Sequence, residues 1–221
     1  MPATDIPGWV DPTIDELQEC SVQTVDFIAM KDGRREEYEL LRELESVYVE
    51  RTADRLVREL SLQDEDTMSG YRVTRLEHAL QSATRARRDE ADADWIVAAL
   101  LHDIGDRLAP RNHDRFAAEI IRPFVREEVT WVVAHHGAFQ MVYYAHHFGW
   151  DRYARDAFSE SPYYRSCVDF CERWDQASFD PDYASDSLES FEAAVREVFD
   201  RKPFDPQILR SGVALGLCGS D

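Results

Sequence analysis

Apolar residues recur along this chain at helical spacing almost from end to end. Between Glu36 and Leu60 they fall at 40, 41, 44, 47 and 48, then at 56, 57 and 60, which predicts one amphipathic helix or two. A helix follows over 74–88, after an acidic loop from Gln63 to Gly70. Trp95 to Leu101 is apolar on every face, so the helix over 94–103 is a buried central one, with Asp94 as N-cap and Gly105 just past its end. Further helices are predicted near 113–121, 126–136, 138–147, 161–175 and 188–201. Nothing alternates at period two for more than a few residues, and no repeat is visible. The expected fold is therefore all-α: one helical bundle over 36–205, preceded by an irregular segment over 1–35 broken by Pro2, Pro7, Pro12 and Gly33, and followed by a tail over 206–221.

Composition narrows the partners. The chain has 221 residues, 44% hydrophobic, which is enough for a packed core and excludes global disorder. Its net charge of -19 repels phosphate backbones and anionic lipid, so neither nucleic acid nor membrane is an expected partner. The run from Trp95 to Leu101 is too short to span a bilayer. The N-terminal residues have no basic and apolar leader pattern, and a cytoplasmic location is expected. Cys20 and Cys218 lie near the two ends; Cys167 and Cys171 share a helix face and read as small buried hydrophobes.

The candidate chemistry is carried by histidine. All seven histidines lie between positions 78 and 147: His78, His102, His113, His135, His136, His146 and His147. His102-Asp103 ends the all-apolar helix, and polar groups buried there must be paired, hydrogen-bonded or metal-bound, because bare burial costs about 2–7 kcal/mol each. Val129, Val132, Val133 and His136 form one stripe, which turns His136 inward and leaves His135 to the side. Tyr164, Val168, Cys171 and Asp175 form another, which turns Asp175 inward and sets Asp169 on the polar face with Arg165, Glu172 and Arg173. His113 heads its helix. His78 lies off the stripe of Val73, Leu76, Leu80 and Ala83, so periodicity does not assign it.

The order His78…His102-Asp103…His113…His136…Asp175 resembles the H…HD…H…H…D ligand order of HD-domain metalloproteins. That resemblance implies a buried binuclear site in which His78, His102, Asp103 and Asp175 hold one metal while Asp103 bridges to a second held by His113 and His136. Imidazole and carboxylate donors without sulfur suit iron, manganese or cobalt.

Within that superfamily the chain resembles the oxygenase branch. Gln23-Thr24-Val25-Asp26-Phe27, Asn112-His113-Asp114 and Phe170 to Asp175 are similar to segments of the inositol oxygenases. Leu76 to Gln81 and Glu172 to Asp175 are similar to the LEHxLQ and RxWD-like segments of phosphonate-cleaving HD oxygenases. The resemblance implies two iron ions and O2 activation for oxidative C–H, C–C or C–P cleavage of a small, polar, hydroxylated substrate; the alternative is a metal-dependent phosphohydrolase of a small phosphate ester or nucleotide. The departures are specific. Asp106 stands where the inositol enzymes have a lysine, Gly137 where they have a serine, and Gln140 where the phosphonate enzymes have a lysine; Met68 and Tyr71 fall where the latter have a capping Tyr and Glu. Asp106 and His135 are candidate catalytic residues beside the bridging Asp103. Asp106, Arg107, Arg111 and Gln140 are candidate substrate contacts, with Arg115 a further cation nearby, and a substrate hydroxyl or amine is expected to face Asp106.

Overall fold

The structure is a computed structural model that describes residues 23–64 and 70–209. The expectations that rest on Cys20, Cys218, Met68, residues 1–22 and the end of the tail lie outside the described residues. Among the described residues there are nine α-helices and no β-strand, so the fold is all-α. No helix among them is long and apolar enough to cross a membrane.

The chain divides at Glu50/Arg51 into two units. In the first, Gln23 to Phe27 has no regular structure and leads through a short 3-10 turn, Met30–Asp32, into α1 (Arg35–Glu50). Glu37 ties this unit together by accepting from the backbone N–H of Arg34 and of Asp26, both at 2.8 Å. Those two donors and the Arg34 guanidinium bring its pKa down to about 2. Leu44, Val47, Tyr48 and Val49 of α1 are exposed.

The second unit is built around α4 (Ala93–Leu101), whose residues from Val97 to Leu101 are all buried. It is covered by α3 (Arg75–Arg88), α6 (Glu127–Tyr144) and α8 (Glu192–Phe199); α2 (Thr52–Leu62) packs on α8 and α5 (His113–Ile121) on α6. A short α9 (Pro206–Leu209) closes the described residues. Expectations about local structure change at α4 and α6. The cap of α4 is Asp92, which accepts from Trp95 N at 3.2 Å. Asp94 is instead buried, accepting from Arg201 Nη1 at 2.5 Å and from Arg126 N at 3.1 Å. The second is α6, one helix where two were expected. An interior glycine costs only about 1 kcal/mol, and the buried stripe Val129, Val132, Val133, His136 continues through Gly137 to Phe139.

The stretch expected as one helix over 161–175 is α7 (Tyr164–Phe170) followed by a single π turn, Cys171–Asp175, closed by Gln176 N donating to Cys171 O at 3.0 Å. Cys167 and Cys171 are free thiols, fully buried, aimed at the α6 carbonyls of Val132 and His136.

Candidate metal centre

Each candidate ligand is delivered by a different segment. His78 lies one turn into α3, which begins with a capping box in which Thr74 and Glu77 satisfy each other's backbone N–H. His102 follows the last turn of α4 and Asp103 the next position. His113 is the first residue of α5, His136 lies midway along α6, and Asp175 ends the π turn. His78, His102, His136 and Asp175 are all at most 3% exposed.

The imidazoles share one arrangement. Nδ1 of His78, His102 and His136 sits 2.9, 2.9 and 2.7 Å from the carbonyl oxygens of Ser178, Ala99 and Val133. A carbonyl only accepts, so each Nδ1 carries the proton and donates, and each Nε2 is left with its lone pair free. Those Nε2 atoms converge on Asp103. Its Oδ2 lies 3.5 Å from His78 Nε2 and 3.4 Å from His102 Nε2; its Oδ1 lies 3.3 Å from His113 Nε2 and 3.2 Å from His136 Nε2. Asp175 Oδ1 completes the first group at 3.4 Å from His78 and 3.6 Å from His102. The carboxylate of Asp103 therefore turns one oxygen to each of two donor groups.

This set fits metal ions on its own chemistry. His78 Nε2 and His102 Nε2 approach to 3.1 Å, and with both protons held on Nδ1 neither can donate to the other. Asp175 Oδ2 is buried without a hydrogen-bond partner, a costly state for a carboxylate oxygen that a cation relieves. Among the described residues, three overlapping groups, His78/His102/Asp175, His102/Asp103/His136 and Asp103/Asp106/His113, have donor atoms within 4.8 Å of one another.

Electrostatics favour positive charge at this cluster. Burial penalises ionised Asp103 and Asp175, yet the imidazoles hold both carboxyls below the usual carboxylate range, His102 contributing most. Burial likewise opposes charge on His78, His102 and His136, but Asp103 and Asp175 outweigh it and raise all three. A histidine with a raised pKa stabilises the fold fully below its ordinary value of 6.5 and ceases to do so as pH climbs through the raised value; the aspartates act oppositely, losing their contribution as pH falls below 3.8. Metal-free protein is therefore expected to lose thermal stability as pH rises above about 6.5, while the extra stability conferred by added metal grows in the same direction because protons no longer compete for Nε2. Paired melting curves with and without chelator check this; a metal-free Tm that climbs as pH rises contradicts it.

Residues matching the HD domain family run from 75 to 169, from the first residue of α3 nearly to the end of α7. The chain carries an HD domain. Two curated proteins are similar to it in part. One, from Leisingera caerulea, is [1-hydroxy-2-(trimethylamino)ethyl]phosphonate dioxygenase (glycine-betaine-forming), 36% identical over 80 residues that cover 31% of this chain and 41% of that protein. The other, hydroxymethylphosphonate dioxygenase from Gimesia maris, is 39% identical over 70 residues covering 26% of this chain and 35% of its own. The chain spans less than half the length of the curated relatives it matches.

Not every sequence candidate reaches the centre of the HD domain. His135 packs on Trp131 with ring centroids 4.1 Å apart and donates from Nδ1 to Trp131 O at 2.7 Å, edge-on to Phe158. It lines a cavity of about 350 Å³ with Arg115, Arg122 and Trp131, away from the converging Nε2 atoms. Arg107 is 3.4 Å from Glu59, and Arg111 and Arg115 are exposed. Gln140 is half-buried on α6, one turn beyond His136. Asp169, expected to face water, is largely covered because Arg165 Nη2 lies over it at 2.6 Å. Asp106 forms an ion pair with Arg75 and stands 3.3 Å from His113 Nδ1, so each of its oxygens faces a group of the protein.

Several supporting residues had no separate signal in the sequence. Gln63, 1% exposed, reaches the carbonyls of Asp103 and Ile104 at 3.4 and 3.5 Å. Gln81 clamps the backbone of Asp180 by donating to its carbonyl at 2.8 Å and accepting from its N–H at 3.3 Å. This fixes the segment whose Ser178 carbonyl orients His78 and whose Phe179 ring stacks on His78 at 4.5 Å.

Proposed function

We propose that this HD domain holds two iron ions and uses O2 to oxidise a small, polar, hydroxylated substrate, with an α-hydroxyphosphonate as the favoured class. The observation that carries the reading is the divided carboxylate of Asp103, one oxygen toward His78, His102 and Asp175, the other toward His113 and His136. The substrate class rests on the two partial relatives, whose names both specify a hydroxylated phosphonate.

Bound iron would supply O2 activation and Lewis-acid polarisation of a substrate oxygen. The chain's own groups do the rest. The carbonyls of Ser178, Ala99 and Val133 keep three imidazoles in one tautomer and orientation, so no ring reorganises when metal or substrate arrives. Phe179 lies over His78 and Tyr71 stacks on Phe179 at 5.2 Å, an aromatic wall beside the first donor group that keeps water from His78.

The test is an oxygen-electrode assay of iron-loaded protein with hydroxymethylphosphonate, inositol and simple phosphate esters. O2 uptake coupled to phosphate release from the phosphonate is the expected result. Phosphate release from esters without O2, with manganese or cobalt, replaces the reading with phosphohydrolysis.

A further inference from the structure

We propose that Asp106, clamped by Arg75, is the carboxylate that orients His113, so that occupancy of the second metal position depends on the Arg75–Asp106 pair. The proposal rests on the two-metal reading above and assigns the dependence of one of its two positions.

The four imidazoles are not anchored alike. His78, His102 and His136 are buried and their Nδ1 atoms meet carbonyl oxygens at 2.7 to 2.9 Å. The His113 side chain is 27% exposed, and its nearest carbonyl, Pro110 O, stands at 3.4 Å, the edge of a useful hydrogen bond. Asp106 Oδ1 lies slightly closer to the same Nδ1, at 3.3 Å. A carboxylate is the stronger acceptor, since charge-assisted hydrogen bonds exceed neutral ones about twofold. With Asp106 Oδ1 and Pro110 O both facing Nδ1, the proton is kept on that nitrogen and the lone pair on His113 Nε2 is directed to Asp103 Oδ1.

Asp106 is itself held in place. Its other oxygen pairs with the guanidinium of Arg75, the first residue of α3, in a contact where the two side chains are only 22% and 12% exposed. Its backbone N–H donates to Asp103 O at 3.0 Å, which closes the turn that carries the bridging carboxylate. Gly105 lets that turn lie against α5: a Cβ there would stand 2.9 Å from His113 Cα and from His113 O. Arg75, Asp106 and His113 thus form a relay from α3, which also carries His78, to the more open of the two donor groups. Asp106 faces Arg75 with one oxygen and His113 with the other, which makes it a positioning residue for His113.

The experiment titrates chelator-treated wild type, Asp106→Ala, Asp106→Asn and Arg75→Met with Co2+, reading stoichiometry and affinity by calorimetry and the cobalt visible spectrum, with far-UV circular dichroism for fold. Wild type is expected to bind two ions. Asp106→Ala and Arg75→Met are expected to keep the first at unchanged affinity and to bind the second about 10- to 100-fold more weakly. Asp106→Asn, whose amide oxygen still accepts from Nδ1–H, should fall between. Two ions at wild-type affinity in folded Asp106→Ala overturn the proposal and leave the two-metal reading intact. Equal loss of both ions in a folded variant overturns it too, because the effect would then be general. Should Asp106→Ala fail to fold, Arg75→Met decides by the same criteria. A wild type that binds one ion or none removes the two-metal reading and this proposal with it.

Discussion

Asp103→Ala is expected to release both metal ions and abolish turnover, the largest functional effect of any single substitution in the chain. Its two oxygens are the only anionic donors shared by the two groups, and removing them leaves four imidazoles and Asp175 to hold two dications. The loss should exceed the about 10- to 100-fold penalty typical of residues that merely support a ligand. Metal that binds the folded state alone contributes about 4 kcal/mol at a thousandfold excess over Kd, so the variant should also forfeit the thermal stabilisation that wild type gains on metal addition. Metal analysis after gel filtration and melting curves with and without iron check both parts. Asp169→Ala is the matched control. That carboxylate pairs with Arg165 away from the cluster and should leave metal content unchanged. A variant that loses metal at 169 but keeps it at Asp175→Ala would reverse the assignment of the two aspartates.

The largest effect on the fold itself is expected from Trp174→Ala. Trp174 is fully buried between Trp95 and Phe170, with ring centroids at 6.2 and 5.7 Å, and its indole N–H donates to Asp89 at 2.8 Å. Truncating a buried Trp costs about 3–5 kcal/mol through lost transfer energy and the cavity left behind, while the carboxylate of Asp89 keeps Arg173 at 2.7 Å. Against a total of about 5–15 kcal/mol the variant is expected to melt on the order of 10 °C lower. Trp174→Phe, which keeps most of the volume, should lose less than half as much. Because Trp174 precedes Asp175 in the π turn, the Ala variant should also bind metal more weakly, and a full-affinity variant with a low Tm would show that the turn holds its shape without the indole.

Much of the helical order and the inward placement of two ligands was legible because helical spacing and burial coincide there. Val129, Val132, Val133 and His136 form a stripe that the core accepts as written, and Asp175 continues the stripe of Val168 and Cys171 despite the π turn. His78 was invisible to the same test for a definite reason. The face of α3 that carries it also carries Gln81, Ser82 and Thr84, which are polar yet buried because they satisfy the backbone of residues 178–186 and of α3 itself. A polar stripe that covers a loop looks, in sequence, like a face turned to water. Asp94 was misread for a related reason: an acidic residue before an apolar run fits a cap, but Asp92 two positions earlier has the extended backbone of a cap, and two distant arginines claim Asp94. Asp106 was read from its place in a family motif, where the inositol enzymes have a lysine, whereas its partner, Arg75, is supplied by another helix.

The spread of the donors along the chain bears on how such a protein is made. Asp103, with His113 and His136 beside its Oδ1, is complete once the ribosome has passed α6, but the group of His78, His102 and Asp175 begins with the earliest donor and ends with the latest. At about 5–20 residues per second, synthesis leaves an interval of several seconds in which Asp103, His113 and His136 have all been translated while Asp175 has not. A metal ion captured in that interval would sit in the half of the centre that has one carboxylate and the more open imidazole. Under the two-metal reading, the deeper group closes only when the last aspartate is in place.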